Sequence, residues 1–202
     1  LASYRTPYGK ESLIVPFLGD VTKDLAGNYY RKIGKSKTIF CAHLDTAGTY
    51  KKVKFIDKDR YISTDGTSIL GADDKAGVLL LIFMMQQKIP GLYYFFIGEE
   101  SGGIGSSSIV DESFKKYHRM IEFDRRGYSS IITHQGGRCC SESFALALSK
   151  QFYKQKLFFH PDSGGIFTDS ANFTHVIKEC TNISVGYFNE HLTHEYLDID
   201  FL

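Results

Sequence analysis

Apolar residues fall along this chain in short separate blocks. Residues 38–42 (TIFCA) and 92–97 (LYYFFI) are apolar almost throughout and rich in β-formers. That composition predicts strands covered on both faces. Residues 119–123, 130–133 and 183–187 read as further strands, and 53–56 and 61–64 as two more around a turn at Asp57-Lys58-Asp59. Residues 74–87 are apolar on most faces and stop before Pro90-Gly91, which predicts a long buried helix. A second helix is expected over 141–152, with Phe144, Leu146, Leu148 and Phe152 mostly inward. Shorter helices are expected over 10–18 and 168–173 and opening at 105–111, with a closing helix over 193–201. Strands alternating with helices predict an α/β fold, a three-layer α/β/α sandwich with a mixed, mainly parallel sheet. There is no internal repeat or Pro/Ser linker, so residues 1–202 read as one domain.

Composition narrows the possible functions. A net charge of +1 implies no strong pull towards nucleic acid or an anionic membrane. The longest apolar run, Val78 to Met85, is too short to cross a bilayer. Residues 1–9 lack the basic-then-apolar pattern of a signal peptide. Cys41, Cys139, Cys140 and Cys180 form no CxxC pair and read as reduced thiols of a cytoplasmic protein, although a bridge from Cys139 or Cys140 to Cys180 stays open.

In sheets of this kind ligands bind beyond the carboxyl ends of the strands. His43 and Asp45 follow the first apolar strand, Glu99 and Glu100 the second, Asp124 the third, and His191 the last, while Asp73 and Asp74 precede the long helix. Singly, each has an ordinary explanation: a loop histidine, a solvated Glu-Glu pair, or an N-cap with its dipole complement. Together they bring so many carboxylates to one rim that cations are needed, and the N/O donor types suit zinc.

The segments His43-Leu-Asp45-Thr, Leu70-Gly-Ala-Asp73-Asp74-Lys-Ala-Gly77, Gly98-Glu99-Glu100, Phe123-Asp124 and His191-Leu-Thr-His-Glu195-Tyr resemble the metal motifs of the co-catalytic di-zinc exopeptidases. The stretch from Asp65 to Gly77 is most like peptidase T. The resemblance implies two Zn2+ ions, with Co2+ or Mn2+ as substitutes. Asp73 would bridge both, through a cis Asp73–Asp74 peptide that orients it. His43 and Asp124 would complete one site, Glu100 and His191 the other. Glu99 would be the general base, and Asp45 would hold the His43 tautomer. His191 is preferred to His194 because the family places its last histidine four residues before a Glu-Tyr pair, here Glu195-Tyr196; His194 is expected on the surface of the closing helix.

Two departures matter. The interval between Asp124 and His191 is too short for the lid domain of peptidase T and its carboxypeptidase relatives. Asp124 is also followed by Arg125-Arg126-Gly127, not by small residues. Arg125 and Asp169 are the candidate substrate-binding residues, and the loop Gly102-Gly103-Ile104-Gly105 could shape the pocket. The implied activity is an exopeptidase, preferably an aminopeptidase, acting on a peptide or small amide. The alternatives are an amidohydrolase of N-acyl amino acids on the same site and a non-catalytic peptide-binding protein on the same scaffold. Oligomeric state is left open.

Overall fold

Four strands form the parallel heart of the molecule, and both their faces are covered, as their unbroken apolar sequences require. The computed structural model describes residues 3–49 and 51–202; Leu1 and Ala2, the first positions of the opening stretch read against a signal peptide, lie outside the described residues, as does Tyr50. In chain order the elements begin with β1 (Tyr4–Arg5), β2 (Thr22–Lys23), β3 (Tyr29–Ile33), β4 (Thr38–His43), β5 (Lys51–Lys52), β6 (Phe55–Lys58), β7 (Tyr61–Thr64) and α1 (Ala72–Gln86). They continue with β8 (Gly91–Phe96), α2 (Ile104–Ser107), β9 (Arg119–Arg125), β10 (Ser130–Ile132), α3 (Glu142–Lys154), β11 (His160–Asp162), β12 (Glu179–Ser184), β13 (Tyr187–Phe188) and β14 (Tyr196–Asp198).

The main sheet has eight strands in the order β11-β10-β12-β9-β4-β8-β3-β2. Neighbours within β12-β9-β4-β8 are parallel, whereas β3 and β2 add antiparallel at one edge and β10 pairs antiparallel with β12 at the other side. This is the expected mixed, mainly parallel α/β sheet. A second sheet of four short strands, β13-β14-β7-β6, lies beside α1. Among the described residues no helix is long and apolar enough to cross a membrane.

The core divides across the main sheet. One face packs Ala42, Tyr93, Phe95, Ile121 and Phe123 against Val78, Leu81 and Met85 of α1 and against Ala145 of α3. The other packs Ile39, Cys41, Tyr94, Phe96 and Met120 under Phe114, Tyr117, Phe173 and Ile177, which belong to short helical turns and loops. α1 crosses β9 so closely that a Cβ on Gly77 would lie 1.9 Å from the Phe123 carbonyl oxygen. Backbone meets backbone there, so Gly77→Ala is expected to destabilise the protein by about 3 kcal/mol or more, read as a lower urea midpoint at unchanged slope.

Several local expectations are corrected. Residues 10–18 form two 3-10 turns, Glu11–Leu13 and Val15–Phe17, because Pro16 has no N–H to continue a helix. The turn expected at Asp57-Lys58-Asp59 comes later: β6 runs through Lys58 to pair with Tyr61, and Asp59 takes the left-handed position. The 105–111 helix shortens to the single turn α2, and 168–173 is a 3-10 segment, Asp169–Phe173. The closing helix over 193–201 does not form; Tyr196–Asp198 pairs as β14 with β7, a non-local contact that overrides local pattern. In α3, Phe144, Leu148 and Phe152 pack inward and Leu146 faces out. All four cysteines are free and buried, so no bridge joins Cys180 to Cys139 or Cys140.

Candidate metal centre

The carboxyl ends of β4, β8 and β9, the start of α1 and the turn after β13 meet at one rim. His43, the last residue of β4, is 1% exposed. Its Nε2 lies 2.9 Å from Asp73 Oδ1 and 3.6 Å from Asp124 Oδ1. His191 stands opposite, with Nε2 2.8 Å from Glu100 Oε1 and 3.3 Å from Asp73 Oδ2. Asp73 therefore presents one carboxylate oxygen to each imidazole, the arrangement a bridging ligand needs. The Asp73–Asp74 peptide is cis.

Two sets of donor atoms, His43/Asp74/Asp124 and His43/Asp73/Glu100, each lie within 4.8 Å of one another. Asp74 is the weaker donor, because its oxygens already accept the N–H groups of His43 (3.1 Å) and Gly77 (3.0 Å). Of the two, Asp73 is the one whose carboxylate oxygens each face an imidazole. His194 takes no part: it is exposed, and its carbonyl lies 3.5 Å from Asn189 Nδ2.

The electrostatics agree with a cation site. Burial, and then the neighbouring Asp124, push Asp73 above the ordinary carboxylate range. Burial opposes charge on His43, yet Asp124, Asp45 and Asp73 outweigh it and hold that imidazole well above its usual pKa. Hydrogen bonds donated to the Asp73 and Glu100 carboxylates raise His191 to about 11. Burial would raise Asp124, but His43 first and then the Thr168 hydroxyl reverse this and leave it below the ordinary value. Such packed carboxylates, with imidazoles beside them, could hold a metal ion through N and O donors.

The supporting groups are specific. Asp45 contacts the His43 ring chiefly through its backbone: its carbonyl oxygen is 3.0 Å from Nδ1, and its carboxylate 3.5 Å. The carboxylate instead accepts the N–H groups of Glu99 and Glu100, at 3.0 and 3.1 Å. Asp45 thus holds both strand-end acids as well as the imidazole. The Gly102-Gly103 turn does not line the cavity; its N–H groups donate to the Glu99 carbonyl at 2.8 and 3.0 Å. Asp124 is fixed by Thr168 Oγ1 at 2.7 Å and Tyr187 Oη at 3.0 Å, and its backbone is paired with the Asn182 amide on β12.

Glu99 faces a cavity of about 150 Å3 shared with Asp73, Asp124 and His191. No hydrogen bond to its carboxyl group is found among the described residues, and burial, then nearby carboxylates against the pull of His43, lift its pKa to about 9. Arg125, Ile166, Phe167 and Thr168 line the same cavity. Arg125 Nη2 donates to the Gly164 carbonyl at 3.0 Å, which holds the guanidinium at the wall. Asp169, the other candidate substrate-binding residue, is 0% exposed, accepts from Ser106 Oγ and is not among the residues that line this cavity. A larger apolar groove of about 370 Å3, lined by Phe17, Leu79, Ile82 and Leu197, contains none of the candidate ligands, so chemistry and not size identifies the site.

No protein-family model matches the chain. It is 39% identical over 101 residues to the uncharacterized protein YqjE of Bacillus subtilis (strain 168), taking in 45% of this chain and 27% of that protein. The chain therefore spans about a quarter of the length of that curated relative. Its fold is similar to that of a Staphylococcus aureus tripeptidase, with a TM-score of 0.81 and 18% identity over 98% of this chain and 91% of that one. It is also similar to aminopeptidase PepT of Bacillus cereus, with a TM-score of 0.77 and 16% identity over 99% and 91% of the two chains. The fold implied by the sequence motifs is thus the fold observed.

Proposed function

We propose that the chain is a two-metal hydrolase that removes residues from peptide ends, acting as an aminopeptidase. The observation that carries this reading is the cavity-facing Glu99, whose carboxyl group has no hydrogen-bond partner among the described residues, beside an Asp73 that reaches two imidazoles. The fold shared with a tripeptidase and an aminopeptidase supports it. His43, Asp73 and Asp124 would hold one Zn2+, and Asp73, Glu100 and His191 the other. When bound, such ions lower the pKa of a water and polarise a scissile carbonyl.

The chain's own groups do the rest. Glu99 accepts the proton of the attacking water and delivers it to the leaving amine. Asp45 keeps Glu99 and Glu100 at fixed height above the sheet through their N–H groups. Thr168 and Tyr187 restrict the rotation of Asp124. Arg125, anchored by Gly164, offers a cation to a substrate carboxylate. Arg125→Met is expected to raise KM about 10–100-fold for substrates with a free carboxylate, the worth of a charge-assisted hydrogen bond, with kcat little changed and C-terminal amides unaffected. Steady-state kinetics on matched acid and amide substrates checks this.

Arg125 equally suits the carboxylate of an N-acyl amino acid, so deacylation is the second reading. The four free thiols fit the reducing cytoplasm, the compartment we assign. The deciding experiment pairs metal analysis with hydrolysis of aminoacyl and acyl-amino-acid amides before and after chelation. Two metals per chain with chelator-sensitive release of N-terminal residues supports the aminopeptidase. Turnover of acylated substrates only transfers the assignment to the deacylase, and absence of bound metal overturns both.

A further inference from the structure

Glu195 is 1% exposed, and both oxygens of its carboxylate accept backbone N–H groups: Oε2 from Gly71 at 2.7 Å and Oε1 from Asp73 at 3.1 Å. These donors sit at the mouth of α1: Gly71 is its N-cap, with no side-chain cap among the described residues, and Asp73 lies in its first turn with non-helical backbone angles. Helix N-termini carry unsatisfied N–H groups, and here a carboxylate more than a hundred residues away in sequence satisfies two of them.

The same turn carries His191. The Glu195 N–H donates to Leu192 O at 3.0 Å and the Leu192 N–H to Asn189 O at 3.1 Å, while His191 sits in the left-handed region at φ 64°. The segment 191–195 therefore grips Asp73 twice, with an imidazole on its carboxylate and a carboxylate on its backbone.

Lys75 supplies a competing explanation for Glu195. It is 6% exposed, and its Nζ is buried without a hydrogen-bond partner. Gly71, at φ +70°, lies against it: a Cβ there would be 2.8 Å from Nζ. Glu195 could serve only to balance that buried cation. The hydrogen-bond geometry argues otherwise, because two convergent N–H donors demand two acceptor oxygens, and Glu195 aims one at each.

We propose that Glu195 is a positioning residue that fixes the bridging Asp73 relative to His191 and so sets the second metal site. The inference rests on the two-metal reading of the site. A glutamine at 195 offers one acceptor and turns an NH2 group on the other N–H, so the Asp73 loop must move.

The test is metal binding by Glu195→Gln and by the double variant Glu195→Gln/Lys75→Met, measured by chelator competition and by the visible spectrum of the Co2+ form. The wild type is expected to bind two equivalents. In both variants the second equivalent is expected to weaken about 10–100-fold, as for partners that orient metal ligands, with an altered Co2+ spectrum, and the first equivalent, which shares Asp73, to weaken less. The double variant restores charge balance and not the acceptor pair, so its recovery to wild-type affinity would assign Glu195 to Lys75 and overturn the proposal. Unchanged metal binding in Glu195→Gln overturns it too. A wild type that binds no second metal defeats the two-metal reading itself, and the inference with it.

Discussion

Glu99→Gln is expected to lower kcat by about 10^2–10^4-fold, the range for losing a positioned general base, while the protein keeps its bound metal and its fold. The exchange is nearly isosteric, and no hydrogen bond to the Glu99 carboxyl from the described residues is lost. The donor sets of the metal centre do not include Glu99, and Asp45 holds only its backbone. KM is expected to move little, because the lost interaction is made to a proton in flight and not to the resting substrate. Metal analysis beside steady-state kinetics checks the prediction, and a fully active, metal-loaded variant would remove Glu99 from the reaction. Among protein groups alone burial raises Glu99 to about 9, which would keep it protonated at neutral pH. Cations held by Asp73, Asp124 and Glu100, as proposed, would favour the ionised form instead, so its fitness as a base would depend on the neighbours that share its cavity.

Asp73→Asn is expected to abolish metal binding and lower kcat/KM by more than about 10^3-fold, since even the outer partners of metal ligands are worth about 10–100-fold. Its effect on stability separates a metal ligand from a structural acid. Burial and Asp124 both disfavour the Asp73 charge, so in chelator the neutral variant is expected to be at least as stable as the wild type. Added metal tells the two apart. At a thousand-fold excess over Kd a bound ion stabilises by about 4 kcal/mol, roughly 8–16 °C in Tm for a chain of this size. The wild type should show that rise and Asp73→Asn should not, as thermal denaturation with and without metal will reveal. Equal metal-dependent shifts in both proteins would exclude Asp73 as a ligand.

The parallel heart of the sheet was legible because β4 and β8 are buried on both faces, which leaves no polar alternation to confuse their reading. The elements that escaped sequence reasoning are those made by distant partners. β14 exists because Tyr196 and Leu197 find β7, and nothing within residues 193–201 announces that pairing. Residues 10–18 do not form one helix for a local reason that the sequence itself carries, Pro16. Among the candidate ligands, His43, Asp73, Glu100, Asp124 and His191 come together because each follows or precedes a predictable element. The orientation of Asp169 is not legible in sequence, because a polar residue in a pocket-lining loop can face either way; its neighbours Phe167 and Thr168 face the cavity, while it turns inward to Ser106. The clamp from Glu195 was hidden in plain sight: the residue served to locate His191, but its backbone partners are a property of the folded loop alone.

The rim is built in two kinds of material. Most of the candidate ligands stand at the ends of sheet strands or at the mouth of α1, whereas Ile166, Phe167 and Thr168 reach the cavity from an irregular connection. Strand ends are held by neighbours on both sides, and connections are held mainly at their roots. Selection can therefore rewrite what the cavity admits without redrawing the place where bonds would be broken. On the proposed function, residues 166–168 could change what the cavity admits while the strand-end acids and imidazoles, and Arg125 at the end of β9, keep their places.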